Sequence, residues 1–233
     1  MRLAPAGLRE WGGGGVIALA GAAVVWWLVP VVWVAWAVTG LAALAWFCIA
    51  WFFRDPRRHP PVGVKPGDLL SPADGRVSAI ERVEHHEAVE GPAVVVRIFL
   101  SVLNVHVNRM PCDAEVLETI YTPGKFLDAR TAASAQVNES MLTRAVRADG
   151  LAFGVRQVSG AIARRIICPV KQGDRFTRGE RFGMIKFGST TELILPEQAD
   201  AAIQVRVGDR VAGVRTVLAS VPMRSSEAAG GES

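Results

Sequence analysis

Three short segments combine side chains that can do chemistry with residues typical of tight turns: 71–77 (Ser-Pro-Ala-Asp-Gly-Arg-Val), 104–111 (Asn-Val-His-Val-Asn-Arg-Met-Pro) and 186–191 (Lys-Phe-Gly-Ser-Thr-Thr). They supply a carboxylate at Asp74, an imidazole at His106 and a hydroxyl at Ser189. Such groups can form an activated nucleophile, in which a base takes the hydroxyl proton and a carboxylate orients the base. Each group alone also has a structural explanation, as a turn, a satisfied histidine or an ordinary loop. The functional prediction therefore depends on the three segments together.

The elements that must position these segments are short apolar runs separated by Gly, Pro and Asp, a pattern typical of β-structure. The pattern predicts strands at 75–83, 93–99, 114–121, 142–148, 151–158, 165–168, 181–187, 192–195, 204–207 and 214–219. After the linker at 54–61, helix is predicted in two places only, at 101–108 and over a short stretch at 159–163.

Turn signals recur among the predicted strands, at 172–174 (Gln-Gly-Asp), 178–180 (Arg-Gly-Glu) and 207–211 (Val-Gly-Asp-Arg-Val). They resemble the hairpins of biotinyl or lipoyl carrier domains, where glycine supplies a positive φ. We therefore predict a mainly β fold of the α+β class, a sandwich or barrel-like domain with carrier-like hairpins over 59–223. The remaining 224–233 has no apolar anchor and is predicted to be disordered.

A long apolar stretch precedes this domain. No charged residue occurs from Trp11 to Phe53, and Thr39 is its only polar side chain. Because one helix crosses a ~30 Å hydrocarbon core with about 20 residues, the stretch predicts two helices, at 14–32 and 35–53, with a turn at 30–33. Residues 1–58 are thus expected to form a two-helix membrane hairpin and linker. Basic residues flank both ends and favour cytoplasmic termini: Arg2, Arg9, Arg54, Arg57 and Arg58.

The apolar stretch has two other interpretations. A secretory signal peptide is disfavoured because its apolar core is only about 7–15 residues and ends at a small-residue cleavage site. A re-entrant hairpin that enters one leaflet stays open, because the stretch is rich in tryptophans that suit interfacial positions: Trp26, Trp27, Trp33, Trp36, Trp46 and Trp51.

The cysteines and the net charge exclude other classes of protein. Cys48, Cys112 and Cys168 form no paired or Cys-x-x-Cys pattern, so neither a disulfide framework nor a metal site is predicted. The formal charge of +4 comes from scattered basic residues without a recognition motif, so no nucleic-acid partner is expected. Attraction to an anionic leaflet fits the charge better.

Taken together and in this order, the three segments resemble the phosphatidylserine decarboxylase family, specifically its shorter bacterial and archaeal form. Further agreements lie at 51–56 (Trp-Phe-Phe-Arg-Asp-Pro), 123–126 (Pro-Gly-Lys-Phe), 163–167 (Ala-Arg-Arg-Ile-Ile) and 182–189 (Phe-Gly-Met-Ile-Lys-Phe-Gly-Ser). The resemblance runs from the hairpin to about Leu195. So many agreements are far more specific than a Gly-Ser-Thr triplet alone.

The resemblance implies a proenzyme that cuts its own chain between Gly188 and Ser189. Ser189 Oγ would attack the Gly188 carbonyl, and β-elimination and hydrolysis would leave residue 189 as a covalent pyruvoyl cofactor. That group would form a Schiff base with phosphatidylserine and accept the electron pair left as CO₂ departs, which gives phosphatidylethanolamine. No metal or pyridoxal phosphate is required. Gly188 suits the cut because glycine tolerates a strained turn and leaves its carbonyl open.

His106 is the best candidate for the base of both steps, and Asp74 is expected to orient its imidazole. The other histidines are poorer candidates by position: His59 in the linker and the pair His85 and His86 in a Glu-rich turn. One departure matters, because many longer family members carry a second histidine where this chain has Arg109. Either His106 serves both cleavage and decarboxylation or another group shares the work.

The same resemblance implies partners and a location. The substrate is phosphatidylserine, and membrane lipids are the expected surroundings. The cut chains, 1–188 (beta) and 189–233 (alpha), are expected to stay together as a heterodimer, with further dimerisation left open. The predicted location is the inner cell membrane, with the catalytic domain on the cytoplasmic face.

Three rival functions explain parts of the sequence but fit the whole less well. A membrane-tethered carrier domain needs its modified lysine at a hairpin tip, whereas Lys186 falls within a predicted strand. A pyruvoyl enzyme acting on a soluble amino acid would have no need of the hairpin. A catalytically inactive family member gains no support from the intact Asp74, His106 and Ser189.

Overall fold

The computed structural model describes residues 2–131, 134–161, 165–186, 189–199 and 201–223. The chain divides into two compact units, Met1–Arg57 and Arg58–Ser233, so Arg58 belongs to the second unit. Gly188 and the predicted disordered tail 224–233 lie outside the described residues. The membrane and decarboxylase roles predicted for the two parts of the chain remain predictions.

The first unit is a helical hairpin. A 3₁₀ turn at Pro5–Gly7 and a π-helical turn at Leu8–Gly12 lead into α1 (Gly13–Leu28), and α2 spans Val32–Phe52. The break falls at residues 29–31, because Pro30 has no N–H to continue α1 and Val29, which precedes it, is extended. By length and composition alone, the helical stretches Pro5–Leu28 and Val32–Phe52 can each cross a membrane.

The open end of this hairpin is held by main-chain and tryptophan hydrogen bonds. Ala4 N donates to Phe53 O over 2.7 Å, which ties the N-terminal segment to the end of α2. Trp46 Nε1 donates to Trp11 O over 2.8 Å, so the indole N–H is satisfied within the unit. These bonds bring the segments before α1 and after α2 together.

The second unit is built on short antiparallel strands: β1 (Asp68–Leu70), β2 (Gly75–His86), β3 (Gly91–Leu100), β4 (Val107–Arg109), β5 (Ala114–Thr122), β6 (Ser140–Val146), β7 (Ala152–Val158), β8 (Arg165–Ile167), β9 (Arg175–Phe176), β10 (Arg181–Lys186), β11 (Ser189–Pro196), β12 (Ala202–Ile203), β13 (Arg210–Val211) and β14 (Val217–Ser220). Its described helices are short: α3 (Ser134–Val137) and a 3₁₀ turn at Glu197–Ala199. The predicted mainly β fold with an apolar two-helix hairpin before it is confirmed.

Within the described residues the strands form three sheets. The large sheet has the order β13-β2-β3-β11-β7-β6-β5-β9, and the two small ones are β4-β10-β8 and β1-β14-β12. One apolar core joins all three, with Leu193 and Val155 from the large sheet, Phe182 from β10 and Leu218 from β14. The small sheets therefore cover one face of the large one.

Strand β11 lies between β3 and β7 in the interior of the large sheet. Leu193 pairs with Val96 on one side and with Val155 on the other. Every side chain of β11 before Pro196 is buried. A strand covered on both faces normally carries an unbroken apolar run, but β11 begins with four polar residues, Ser-Thr-Thr-Glu.

Two sequence-based predictions of local structure are wrong. The helix expected at 101–108 is a turn at 102–104 followed by β4, because pairing of Val107 with Met184 across the small sheet overrides the weak helical signal. The strand expected at 204–207 is not formed: β12 ends at Ile203, and Asp209 accepts a hydrogen bond from Arg206 N over 2.8 Å, which closes a turn over this range instead. Of the predicted helix at 159–163, residues 159–161 are not helical and the rest lies outside the described residues.

The Gly-Asp turns have the predicted backbone. Gly173 and Gly208 take φ values of +85° and +96°. In each turn the following aspartate accepts an N–H from three residues before it, so Asp174 bonds to Lys171 N over 2.8 Å. Local turn chemistry therefore fixes these hairpins.

We predict that Asp68 stabilises the second unit in a pH-dependent way. Its carboxylate accepts from Ser220 Oγ over 2.7 Å and from Lys65 N over 2.8 Å, and these bonds hold its pKa below the ordinary 3.8. Because the folded pKa is lowered, the stabilisation is present above the unfolded pKa and is lost as pH falls through the folded value. Asp68→Asn should therefore cost about 1 kcal/mol at pH 7.

Thermal melting of the full chain in detergent, followed by near-ultraviolet circular dichroism, measures this difference. The gap between wild type and Asp68→Asn should narrow at a pH below the lowered pKa. An equal gap at both pH values would contradict the assignment.

Candidate active site

Ser189 is the first residue of β11, and its side chain is fully buried. Among the described residues its Oγ has no hydrogen-bond partner. A buried hydroxyl without a partner costs about 1–3 kcal/mol relative to a satisfied one, so such groups are uncommon in folded proteins. The predicted nucleophile is therefore the least satisfied polar group at the start of its strand.

Glu192, the one charged side chain of this strand, is fully paired. Glu192 is 1% exposed and accepts from Arg97 Nε over 2.7 Å and from Arg156 Nη1 over 3.4 Å. These bonds lie on the face of the sheet opposite Ser189, because side chains three residues apart in a strand point to opposite faces. They anchor β11 between β3 and β7 without involving the hydroxyl.

His106 is also fully buried, in the loop that connects β3 to β4. Its Nδ1 lies 3.0 Å from Asn104 O. With the proton on Nδ1 the ring donates to this carbonyl, and Nε2 then carries the lone pair that a base requires. Asn104 Oδ1 accepts from Ser101 N over 2.9 Å and from Ser101 Oγ over 2.8 Å, which fixes the loop.

Two contacts bring the His106 segment to the start of β11. Ile185 N donates to His106 O over 3.1 Å, and Ile185 precedes Ser189 by only four residues, which span at most about 14 Å. On the other side, Asn108 Nδ2 donates to Thr191 Oγ1 over 2.9 Å. The segment from His106 to Asn108 is therefore tied to the chain on both sides of Ser189, by His106 to Ile185 and by Asn108 to Thr191.

Asp74 lies at the same end of the large sheet but has other partners. Its carboxylate accepts from both terminal nitrogens of Arg58, with 2.5 Å for the Nη2–Oδ2 bond, and from Gly213 N over 2.8 Å. Within the described residues Asp74 makes no hydrogen bond to His106, so the orienting role expected of it is not carried by a direct contact. The fork of Arg58 matches both carboxylate oxygens, and the main-chain carbonyl of Asn104 orients the imidazole instead.

The position of Asp74 follows from the glycine after it. A Cβ on Gly75 would lie 2.2 Å from Phe99 O, so only glycine lets β2 approach β3 this closely. Extending the pairing of Arg76 with Phe99 by one residue sets Gly75 beside Leu100, which pairs with Ser189. Two strand spacings, from β2 to β3 and from β3 to β11, separate the two chain segments. The backbones of Asp74 and Ser189 are therefore about 10 Å apart.

Sequence reasoning missed Ser159. Val158 pairs with Thr190, so one further step in register sets Ser159 beside Ser189, on the same face of the sheet. Its side chain is fully buried, and within the described residues its Oγ also has no partner. The alternation of β7 could have placed it, because Val155, Gln157 and Ser159 share the core face.

Glu139 lies beside Ser159, just before the next strand across the sheet. Sequence reasoning missed it as well. Ser159 N donates to Glu139 O over 2.9 Å, so the two residues are cross-strand neighbours. Burial raises the pKa of the Glu139 carboxyl. Two adjacent strands thus supply a hydroxyl and a carboxyl on the face to which Ser189 belongs.

Thiol and metal chemistry are poorly served by the described residues. Burial raises the pKa of Cys112 to about 12 and also raises the pKa of Cys168, so neither forms a thiolate readily. Across the described ranges, no three His, Cys, Asp or Glu side chains gather as metal ligands. The reactive groups of the site are therefore hydroxyl, imidazole and carboxyl.

Comparison with known proteins places this arrangement in a family. The family model described as phosphatidylserine decarboxylase matches residues 45–219. The chain belongs to the phosphatidylserine decarboxylase family. The matched range contains all three segments singled out from the sequence.

Curated relatives agree over most of their length, and each is named phosphatidylserine decarboxylase proenzyme. The one from Symbiobacterium thermophilum is 47% identical over 182 residues, which cover 78% of this chain and 82% of the relative. The Syntrophus aciditrophicus protein is 43% identical over 175 residues, covering 75% and 79%. The Gluconacetobacter diazotrophicus protein is 42% identical over 208 residues, covering 88% of each chain. Membership makes the chain an enzyme of the decarboxylase class and a proenzyme.

We predict that Asn108 keeps the segment that carries His106 in place. It donates to Thr191 and accepts from Gln157 Nε2 over 2.8 Å, and it is fully buried. Asn108→Ala should lower the rate of formation of the mature enzyme about tenfold or more, because a displaced imidazole loses its alignment. Chain processing, followed by denaturing gel electrophoresis after synthesis, measures this rate.

Ser220→Ala is the matched control, because it also removes a side-chain hydrogen bond, to Asp68, at a distance from the site. It should process at the wild-type rate. Equal slowing in both variants would mean that Asn108 acts only through stability.

Proposed function

We propose that this chain is a phosphatidylserine decarboxylase that makes its own pyruvoyl group from Ser189. The observation that carries the proposal is the buried Ser189 hydroxyl, without a partner among the described residues, at the start of an interior strand. Proenzyme relatives with 39–47% identity support the reaction class. A reactive serine in this position needs neither a metal nor a thiol.

The self-cleavage uses atoms of the chain alone. Ser189 Oγ attacks the Gly188 carbonyl carbon, and the bond from that carbon to Ser189 N breaks, which converts the amide to an ester. Loss of the Cα proton then breaks the Cβ–Oγ bond, so Gly188 leaves with Oγ as a carboxylate. Water replaces the amino nitrogen of residue 189, ammonia departs, and a keto group remains.

His106 is the proposed base for the serine proton. The contact of Nδ1 with Asn104 O supports this role, because it favours the tautomer with the lone pair on Nε2. Arg109, which stands where longer relatives carry a second histidine, donates to Gly179 O over 2.9 Å and has a structural partner. We therefore assign both cleavage and the later protonation to His106.

Asp74 stays in the proposed catalytic set as a nearby carboxylate rather than as a partner of the imidazole. Its bonds to Arg58 and Gly213 tie the start of the second unit to the loop before β14. Its proposed effect is to fix this end of the sheet, where β2 and β3 approach closely.

Residues around position 189 fit a pyruvoyl group. A keto oxygen buried here needs a donor, and Ser159 provides a buried hydroxyl without a partner among the described residues. When formed, the pyruvoyl carbonyl supplies the electrophile and electron sink for decarboxylation. Ser159 would supply a hydrogen-bond donor to a keto oxygen at residue 189, and the apolar core beneath would exclude water.

Phosphatidylserine is the proposed substrate because the relatives carry it in their names. The two apolar helices of the first unit fit a lipid substrate, since a tethered enzyme meets the lipid without extracting it. Basic residues at both ends of the hairpin support an inner-membrane location with a cytoplasmic catalytic unit. A carrier role is not favoured, because Lys186 is buried in β10 rather than displayed at a turn.

We predict that the purified protein is cut before Ser189. Intact mass spectrometry should find residues 1–188 and 189–233 as separate chains. Their summed mass should equal that of the uncut chain plus one water and minus one ammonia, because the serine amine is replaced by a keto oxygen. A protease would add water and remove nothing.

Variants of Ser189 and of His106 separate the roles of these two residues. Ser189→Ala should stay whole, and His106→Ala should be cut at least about a hundredfold more slowly, as expected for loss of a general base. Ser220→Ala should be cut like the wild type. An uncut wild-type chain would refute the pyruvoyl mechanism.

We predict that Ser159→Ala is cut normally but carries a less reactive carbonyl at residue 189. Loss of one donor to that oxygen should lower kcat about tenfold or more. The rate of reaction of the cleaved protein with a hydrazine reagent, read by mass, should fall in parallel without any lipid present. Ser159→Thr keeps the hydroxyl and should restore both rates, whereas an unchanged hydrazine rate in Ser159→Ala would remove Ser159 from the site.

A further inference from the structure

Exposed apolar side chains of the second unit concentrate at one end of the large sheet. Among its described residues ten large apolar side chains are exposed, and six of them lie at the end where β11 begins. These six form what we call the apolar rim: Val102, Leu103, Tyr121, Phe126, Leu127 and Val137. Single exposed apolar residues are ordinary, but a cluster of this kind indicates a binding surface.

The rim is attached directly to the candidate active site. Leu100 ends β3 and pairs with Ser189, so the loop at 101–106 leaves the sheet beside the nucleophile. The segment at 123–139 joins β5 to β6 at the same end, where Thr122 pairs with Ser140. Both rim loops therefore surround the start of β11.

Two asparagines, Asn138, which is buried, and Asn104, which is half-buried, hold the two rim loops in fixed positions. Asn138 accepts from Leu127 N over 2.8 Å and donates to Leu127 O and Ser159 O over 2.9 and 2.8 Å. In the other loop, Asn104 accepts from Ser101. Exposure of the apolar tips is thus imposed by hydrogen bonds, and the same bonds reach the site.

We propose that the apolar rim enters the headgroup and upper acyl region of an anionic lipid leaflet and presents the site to its lipids. The inference rests on the proposed function for the identity of the substrate and adds the surface that receives it. Lys125 is exposed beside Phe126, and its charge complements an anionic leaflet. Aromatic and aliphatic tips with a basic neighbour are typical of surfaces that lie in a membrane interface.

A lipid leaflet fits the rim better than a protein partner does. Phosphatidylserine has two acyl chains, and the site must reach its headgroup while those chains stay in the membrane. Tips that enter the leaflet around the site allow this without full extraction, which costs about 0.8 kcal/mol for each exposed CH₂. The rim then acts with the helical hairpin, which supplies attachment but not the position of the site.

Fluorescence quenching tests the contact directly. The full chain, reconstituted in phosphatidylserine vesicles whose acyl chains carry a quencher, is labelled through Leu103→Cys or Phe126→Cys. Glu87→Cys is the control, because Glu87 is exposed in the turn between β2 and β3 at the opposite end of the sheet. All variants carry Cys48→Ala, since Cys48 is exposed and would also react.

Dye at the two rim positions should lose most of its fluorescence, and dye at residue 87 should lose little. Equal quenching at all three positions, or none at the rim, would overturn the proposal. A spectral change at the rim that follows protein concentration rather than lipid would also overturn it and indicate a second copy of the chain. None of these readings needs turnover, so they stay informative even where the decarboxylase reaction fails.

Kinetics test the consequence for the site. Leu103→Gln combined with Phe126→Gln should lower the rate on vesicle phosphatidylserine, relative to a dispersed short-chain analogue, about tenfold. Val207→Gln, which changes an exposed apolar residue outside the rim, should leave that ratio unchanged. An equal ratio in the double variant and the control would contradict the inference, whereas a wild type that is uncut and inactive would contradict the proposed function instead.

Discussion

The structure depends on one constraint: an interior strand that is buried on both faces begins with four polar side chains. Burial without partners would cost each of them a hydrogen bond or a charge, so other elements must come to them. Arg97 and Arg156 reach Glu192 from the flanking strands, and Asn108 reaches Thr191 from a separate sheet. Satisfying β11 thus determines which strands neighbour it and which sheet covers it.

Ser189 is the one polar residue at the start of β11 whose side chain is left without a partner among the described residues. Three of the four polar side chains have partners in the described structure, while its Oγ has none there. Ser159, its cross-strand neighbour, is also without one. Unsatisfied buried groups persist only where the surrounding core holds them, and they concentrate at functional sites. The same core that stabilises the fold therefore keeps the hydroxyl of Ser189, the proposed nucleophile, buried without a partner among the described residues.

The sequence predicted the features that depend on local chemistry. The long apolar stretch, the alternation of the longer strands and the Gly-Asp turns at Gly173 and Gly208 all appear in the structure. Features that depend on partners distant in sequence were missed. The segment at 101–108 forms a turn and β4 because Val107 finds Met184, and Asp74 bonds to Arg58 because a planar guanidinium fits it better than an imidazole. Ser159 could be recognised only once the register set it beside Ser189.

The interior position of β11 has a consequence for what a cut before Ser189 would leave behind. The downstream fragment would contribute the strand between β3 and β7, as well as β13 at one edge and β14 in the middle of another sheet. Its main chain would pair with strands of the larger fragment at three places, and β11 would lie between two of those strands. Separation of the two polypeptides would then require opening the whole domain, so the fragments would dissociate only by unfolding and could not exchange between molecules.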